Sequence, residues 1–340
     1  ISSFAHPIHF HFLKFSKFIM ARAASKMWES YCLRPSLHSS STAIPVFLYG
    51  TAWKKDQTAE LVNTAITAGF RAIDTAAQPR HYQEDLVGDG IRKAIVDGVV
   101  RREDLYLQTK FSPIGAQDPD NMPYDPNLSV TEQVHASIKS SLNNFRPAAD
   151  PNSVAEAYID TLVIHSPLQR FEMTLEAWQA LETYVPHRIR NLGISNCSLP
   201  LLATLDSSPA TKVKPAVVQN RFYEDTEFDV PLRQFCREKD IVYQSFWTLT
   251  ANPDLVQSRP VQQLATQVKI SPAAALYALV MSLGNTTVLN GTKNEARMKE
   301  DLAAPQKVQK FMQANSAAGE ELLKEFQGLV GGFCMIGLNI

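Results

Sequence analysis

Asp74, Tyr82, Lys110 and His165 are residues whose types could together carry out acid–base chemistry. Each falls at or just after a short apolar run: Asp74 in AIDTA, Tyr82 in the following RHYQED, Lys110 in LQTKF and His165 in LVIHSP. An oxygen on which alkoxide charge develops needs a proton. A phenol, with a pKa of about 10, is a slow acid for that task at neutral pH. An ammonium beside it stabilises the phenolate and lowers its pKa, so Lys110 would make Tyr82 a better general acid and, in reverse, a base. Asp74 would keep the ammonium protonated and aimed. His165 would offer a neutral N–H to the substrate oxygen as charge builds there. Taken singly, each has a plainer role: Asp74 a helix cap or loop brace, Lys110 a surface lysine, His165 a core histidine and Tyr82 a loop aromatic.

The elements that must position these residues alternate along the chain. IPVFLYG (44–50), RAIDT (71–75), DLYLQTK (104–110), Tyr158–Ile164, RNLGIS (190–195), PAVVQN (215–220), IVYQSF (241–246) and TTVLN (286–290) read as strands. Between them lie helical patterns: Gln57–Phe70 with Gly69 as C-cap, Leu86–Val96, Ser129–Phe145, Met173–Tyr184, Leu199–Leu205, Val230–Arg237, helices within 259–284, and Lys293–Leu302. The strands are apolar throughout rather than alternating, as parallel strands covered on both faces are. No GxGxxG turn marks an open doubly wound sheet. The count favours a closed (β/α)8 TIM barrel, in which chemistry sits at the C-terminal ends of the strands. The expected organisation is an N-terminal extension over 1–42, the barrel over 43–310, and a helix (Gly319–Phe326) with a flexible tail over 311–340.

Composition narrows the function classes. The chain has 340 residues, 45% hydrophobic and 20% charged, with 33 Lys and Arg against 34 Asp and Glu. No global field draws it to nucleic acid or to an acidic membrane. No run approaches the roughly 20 apolar residues of a membrane span. Cys32, Cys197, Cys236 and Cys334 lie far apart, without metal-ligand spacing, and read as reduced structural thiols. These features lead to the expectation of a soluble, cytoplasmic protein. Residues 20–42, MARAASKMWESYCLRPSLHSSST, have Glu29 as their only acid and read either as a disordered tail or as a mitochondrial transit segment.

The motifs AITAGFRAIDTA, DLVGDGIRKA, DLYLQTK, YIDTLVIHSP, LGISN and GTKNEARMKED, in this order, resemble the aldo-keto reductase family from about Ile44 to Asp301. The resemblance implies a barrel that uses NAD(P)H to reduce an aldehyde or ketone to an alcohol, with Asp74, Tyr82, Lys110 and His165 as its catalytic tetrad. The family sets its tyrosine closer to the aspartate than Tyr82 stands to Asp74. This makes His81 the rival occupant of that slot, with Gln83-Glu84 standing for the family's Asn-Glu.

The same resemblance puts Ser195, Asn196 and Gln219 on the nicotinamide carboxamide, whose donor and acceptor such a trio can match. Phe246 or Trp247 would stack on the ring. Toward the adenosine end it implies Thr292, Lys293, Arg297 and Glu300. Gly291-Thr292 replaces the family's Lys-Ser, while Arg297 retains the means to clamp a 2′-phosphate. NADP(H) is the expected cofactor, with NAD(H) as the alternative. Trp53, the proline-rich segment 111–127 and Trp247 would wall a pocket for an apolar or aromatic carbonyl. Two other classes stay open at this stage: a cofactor-binding regulatory barrel of low activity, and a barrel hydrolase or aldolase using Lys110 as a Schiff-base lysine.

Overall fold

The apolar runs of the sequence close into one sheet. In this computed structural model, which describes residues 30–32 and 43–331, eight parallel strands follow one another around a closed barrel. They are β1 (Phe47–Gly50), β2 (Ala72–Asp74), β3 (Tyr106–Phe111), β4 (Ile159–Ile164), β5 (Ile189–Ser195), β6 (Val217–Arg221), β7 (Val242–Phe246) and β8 (Thr286–Asn290). The run expected as one strand over 44–50 divides in two. Ala43–Pro45 pairs antiparallel with Ser30–Cys32, and Phe47 opens the barrel strand. Pro45 has no N–H to extend the outer ladder. Part of the stretch set aside as a disordered extension is therefore paired, and its remaining residues lie outside those described.

A ring of helices covers the outer face: α1 (Thr58–Ala68), α2 (Glu84–Val96), α3 (Val130–Asn144), α4 (Phe171–Glu182), α5 (Leu199–Ser207), α6 (Val230–Glu238), α7 (Pro253–Gln257), α8 (Arg259–Val268), α9 (Pro272–Met281), α10 (Glu295–Ala314) and α11 (Ser316–Val330). Local chemistry sets their ends. Gly69 closes α1 at φ 120°, a conformation that costs other residues a Cβ clash. Ser129 and Glu132 cap each other's backbone at the start of α3. The stripes Val62, Ala65 and Ile66 of α1 and Val134, Ile138 and Leu142 of α3 are buried against the sheet. Gly88 lets α2 approach α3 closely: a Cβ there would fall 2.0 Å from the Asn144 carbonyl oxygen.

Inside the barrel, the period-two alternation of strands builds layers. Leu48, Ala72, Tyr106, Val217 and Val242 form an apolar layer, closed from below by Ile44. One pleat further along their strands, Ala72, Tyr106, Val217 and Val242 give way to Asp74, Gln108, Gln219 and Gln244, all buried. The barrel core thus changes from dry to polar as it approaches its C-terminal mouth.

Beyond the barrel, the chain departs from expectation. α10 runs to Ala314 rather than stopping at Leu302, carrying Pro305 buried within it. The expected boundary near residue 310 therefore falls inside a helix. α11 spans Ser316–Val330, not Gly319–Phe326, and its end is fastened rather than loose. The buried Arg233 donates to the carbonyls of Phe228, Val330 and Gly331 at 2.7, 2.8 and 2.9 Å. Gly319, Leu322, Phe326 and Val330 form one buried stripe along the helix, and the distant arginine fixes its last turn. Residues 332–340 lie outside those described. Cys197 and Cys236 are buried and form no disulfide among the described residues, as expected, while Cys334 and the side chain of Cys32 lie outside the description. No single helix among the described residues is long and apolar enough to cross a membrane.

Candidate active site

A cavity of about 900 Å³ opens at the C-terminal mouth of the barrel. Its lining includes Trp53, Asp74, His81, Tyr82, His165, Ser195, Asn196, Gln219, Phe246, Trp247, Thr292, Arg297 and Glu300. Of the expected site residues, Lys110 and Lys293 are not in the lining: Lys110 is bonded to Asp74, which is, and Lys293 to Gln57.

Asp74 ends β2 and Lys110 lies on β3, both facing inward and almost wholly buried. Lys110 Nζ donates to Asp74 Oδ2 at 2.7 Å and to the Thr75 carbonyl at 2.8 Å. The same ammonium lies 5.3 Å from the Tyr82 ring centroid, over its face. His165, just past β4, meets Tyr82 edge to face at 5.9 Å. The four side chains therefore come together.

His81 lines the same cavity, but its ring turns toward Trp53. Its ring lies 3.9 Å, centroid to centroid, from that of Trp53. Of the two rivals it is Tyr82 that lies with Lys110 and His165, while His81 backs the exposed Trp53.

The electrostatics depart from the simplest expectation. Burial, reinforced by the Asp74 charge, pushes the Tyr82 phenol above its ordinary value rather than letting Lys110 depress it. The ammonium is already held by Asp74 and a carbonyl, so its field at the hydroxyl is partly cancelled. Burial likewise draws Lys110 downward, with Asp74 opposing. Burial and the Lys110 charge lower His165 to about 3, so its imidazole is neutral at physiological pH. Ser112 Oγ lies 2.6 Å from His165 Nδ1. With that hydroxyl donating, the proton sits on Nε2.

Below the tetrad lies a closed hydrogen-bonded ring. Gln108 Nε2 donates to Asp74 Oδ1 at 2.7 Å and to Gln244 Oε1 at 2.7 Å. Gln219 Nε2 donates to Asp74 Oδ1 at 3.0 Å and to Gln244 Oε1 at 2.8 Å. Gln108 and Gln244 were not among the residues singled out by sequence. A signal was available, because each stands two residues before a named site residue, Lys110 or Phe246, on the same strand face.

Ser195, Asn196 and Gln219 come together beside the ring. Ser195 Oγ donates to the Gln219 carbonyl at 2.6 Å, and Asn196 Nδ2 donates to the His165 carbonyl at 2.8 Å. Asn196 adopts φ 52°, a left-handed conformation that asparagine tolerates. Gln219 Oε1 receives no donor from the described residues, so it is available to an incoming N–H. Phe246 is half-buried and lines the cavity, with Trp247 edge-on at 6.0 Å. One face of Trp247 is taken by the Arg221 guanidinium at 4.6 Å, which leaves Phe246 the better placed to lie under a flat ring.

At the far end, Asn290 Oδ1 accepts the Thr292 N–H at 2.8 Å, and Asn294 caps α10 by accepting the Arg297 N–H at 3.0 Å. The exposed Arg297 side chain makes no hydrogen bond or ion pair with the described residues. Lys293 Nζ is held by Gln57 Oε1 at 3.0 Å, and Glu300 Oε1 accepts the Ser271 N–H at 2.9 Å. Glu300 thus keeps one carboxylate oxygen engaged in the protein. Lys54, also not singled out by sequence, is buried and donates to the Gly291 carbonyl at 2.9 Å, with burial and the neighbouring Lys293 lowering its pKa to about 8.

The proline-rich segment 111–127 does not wall the cavity. It braces from behind instead: Tyr124 Oη and Gln117 Nε2 both donate to the Ser112 carbonyl, at 2.6 and 3.2 Å. Trp53 and Trp247 do stand at the mouth, 60% and 51% exposed.

Comparison with known proteins matches residues 47–318 to the Aldo/keto reductase family. An uncharacterized oxidoreductase of Bacillus subtilis is 28% identical over 273 residues, covering 79% of this chain and 85% of its own. An aldo-keto reductase family 1 member of Mus musculus is 26% identical over 292 residues, covering 76% of this chain and 82% of its own. Among solved structures, a Bombyx mori aldo-keto reductase in complex with NADP superposes with a TM-score of 0.65 at 20% identity, over 87% of this chain and 92% of its own. That likeness bears on the fold.

Proposed function

The chain belongs to the aldo/keto reductase family, and from that premise we propose that it reduces an aldehyde or ketone to an alcohol with NADP(H) as cofactor. The observation that carries the reading is the placing of Lys110 over the Tyr82 ring with His165 at its edge, at the inner end of the cavity.

The cavity suits a dinucleotide at both ends. The acceptor Gln219 Oε1, with Ser195 and Asn196 beside it, matches an amide, and Phe246 offers an aromatic face. Thr292 and the unpaired Arg297, with Lys293 nearby and Glu300 for the base, match the adenosine end and a 2′-phosphate. When bound, reduced nicotinamide supplies the hydride.

The chain's own residues handle the oxygen. The carbonyl oxygen accepts from Tyr82 Oη and from the Nε2–H of the neutral His165, which fixes it and favours the charge it gains. Tyr82 then gives its proton to that oxygen. The Lys110 ammonium stabilises the phenolate left behind, and Asp74, held by the glutamine ring, keeps the ammonium in place. Trp53, backed by His81, and Trp247 exclude water and favour an apolar or aromatic substituent.

The test is steady-state oxidation of NADPH by the purified protein with para-nitrobenzaldehyde, in parallel with fluorescence titration of NADPH and NADH. Aldehyde-dependent oxidation that disappears in Tyr82→Phe is expected. Tight NADPH binding without turnover on any aldehyde would refute the reductase reading in favour of a binding role.

A further inference from the structure

Arg221 is absent from the chemistry above, yet it lines the same cavity. It ends β6 two residues beyond Gln219, and strand alternation puts both on the inward face. Its guanidinium lies over the Trp247 ring at 4.6 Å, the stacked arrangement that arginine adopts on indole. The side chain makes no hydrogen bond and pairs with no carboxylate among the described residues. The nearest acids along the chain, Glu224 and Asp225, begin the turn that leads away. The cavity mouth thus presents a guanidinium with free donors, held on a half-exposed aromatic wall.

We propose that Arg221 is a specificity-determining residue that binds an oxyanion, namely a carboxylate carried by the aldehyde substrate. This rests on the reductase reading. An anion at this position has two sources, the substrate or the phosphates of the cofactor. Gln219, the residue one pleat below Arg221, faces the amide end, and a dinucleotide running from there to Arg297 carries its phosphates away from β6. A carboxylate on a substrate ring held between Trp53 and Trp247 meets the guanidinium directly. Arg221 gives it paired N–H donors, and Trp247 covers the ring beside it.

The experiment compares para-carboxybenzaldehyde with its uncharged methyl ester, in the wild type and in Arg221→Gln and Arg221→Lys. The expected result is a kcat/KM ratio of carboxylate over ester of about ten in the wild type, expressed mainly in KM. The ratio should fall to about one in Arg221→Gln, with Arg221→Lys between. Raising the salt concentration should narrow the wild-type ratio. A wild type that reduces the ester but shows no preference for the acid overturns the proposal and leaves the reductase reading standing. A loss of NADPH affinity in Arg221→Gln with the substrate ratio unchanged assigns the arginine to the cofactor phosphates and also overturns it. Failure to reduce either compound overturns the reductase reading, and this proposal with it.

Discussion

Gln219 donates a hydrogen bond to Asp74 at 3.0 Å, joining the residue proposed to face the cofactor amide to the carboxylate that holds Lys110. The two sit on β6 and β2, well apart around the barrel, and Gln108 and Gln244 complete the circuit through the interior. Proton donor and cofactor site therefore rest on one floor. Gln244→Leu removes the acceptor shared by Gln108 and Gln219 while leaving every proposed contact residue in place. We expect kcat to fall about tenfold and NADPH to bind several-fold more weakly, on the scale of one or two lost buried hydrogen bonds. Unchanged values of both, in a variant with normal circular dichroism, would show the ring to be inert.

Tyr82→Phe should lower turnover by about a hundredfold to ten-thousandfold, with NADPH affinity within about a factor of two of wild type. His81→Ala removes the ring stacked on Trp53 and should act chiefly on KM for aromatic aldehydes. Steady-state kinetics of the two variants side by side check the assignment. The reverse pattern would hand the proton to His81.

The barrel was legible because buried parallel strands leave near-continuous apolar runs, and LVIHSP and LQTKF place their polar residues at the ends of such runs. Tyr82 is less legible, because it sits in a loop whose length drifts without cost to the fold, and Lys110 and His165, which the fold brings beside it, are distant in sequence. The glutamine ring was hidden for another reason. Gln108 and Gln244 look like ordinary polar interruptions until the closed barrel brings them face to face. The end of α11 is hidden from the local pattern because the side chain that holds the Val330 and Gly331 carbonyls, Arg233, lies on a distant helix.

The pH dependence should differ between directions. Burial raises the Tyr82 phenol above its ordinary range, so the protonated form needed for reduction persists through neutral and moderately alkaline pH. Alcohol oxidation needs the phenolate. Reduction should therefore stay flat from pH about 6 to 9, while oxidation climbs roughly tenfold per pH unit across that range. Profiles of kcat/KM in both directions test this. A reduction rate that falls above neutrality would mean a depressed phenol.

His165 gives a stability prediction of definite sign. Its imidazole titrates at about 3 in the folded chain, against 6.5 for the ordinary group, because burial and Lys110 disfavour the cation. Between those values the unfolded chain binds more protons than the native one, so stability contributed above pH 6.5 is lost as pH falls through that window. Denaturant unfolding at pH 7 and pH 5 should show the wild type losing more stability than His165→Gln, by up to about 1.4 kcal/mol per pH unit. Parallel losses in the two proteins would contradict the buried, neutral imidazole.

Cofactor choice depends on Arg297. Lys293 is already held by Gln57 and Glu300 by the backbone of Ser271, whereas the Arg297 side chain extends from the first turn of α10 without a protein partner among the described residues. An anion at that position gains both the guanidinium fork and the helix N-terminus. The 2′-phosphate that distinguishes NADPH from NADH is such an anion. Arg297→Met should therefore weaken NADPH by about ten to a hundredfold and NADH by less than about threefold, the loss expected of a charge-assisted pair. Because Arg297 is exposed and its backbone N–H is capped by Asn294, the substitution leaves the helix start intact. Fluorescence titration of each variant with both nucleotides decides the matter. Equal losses for the two would place the guanidinium on the shared adenine instead of the phosphate.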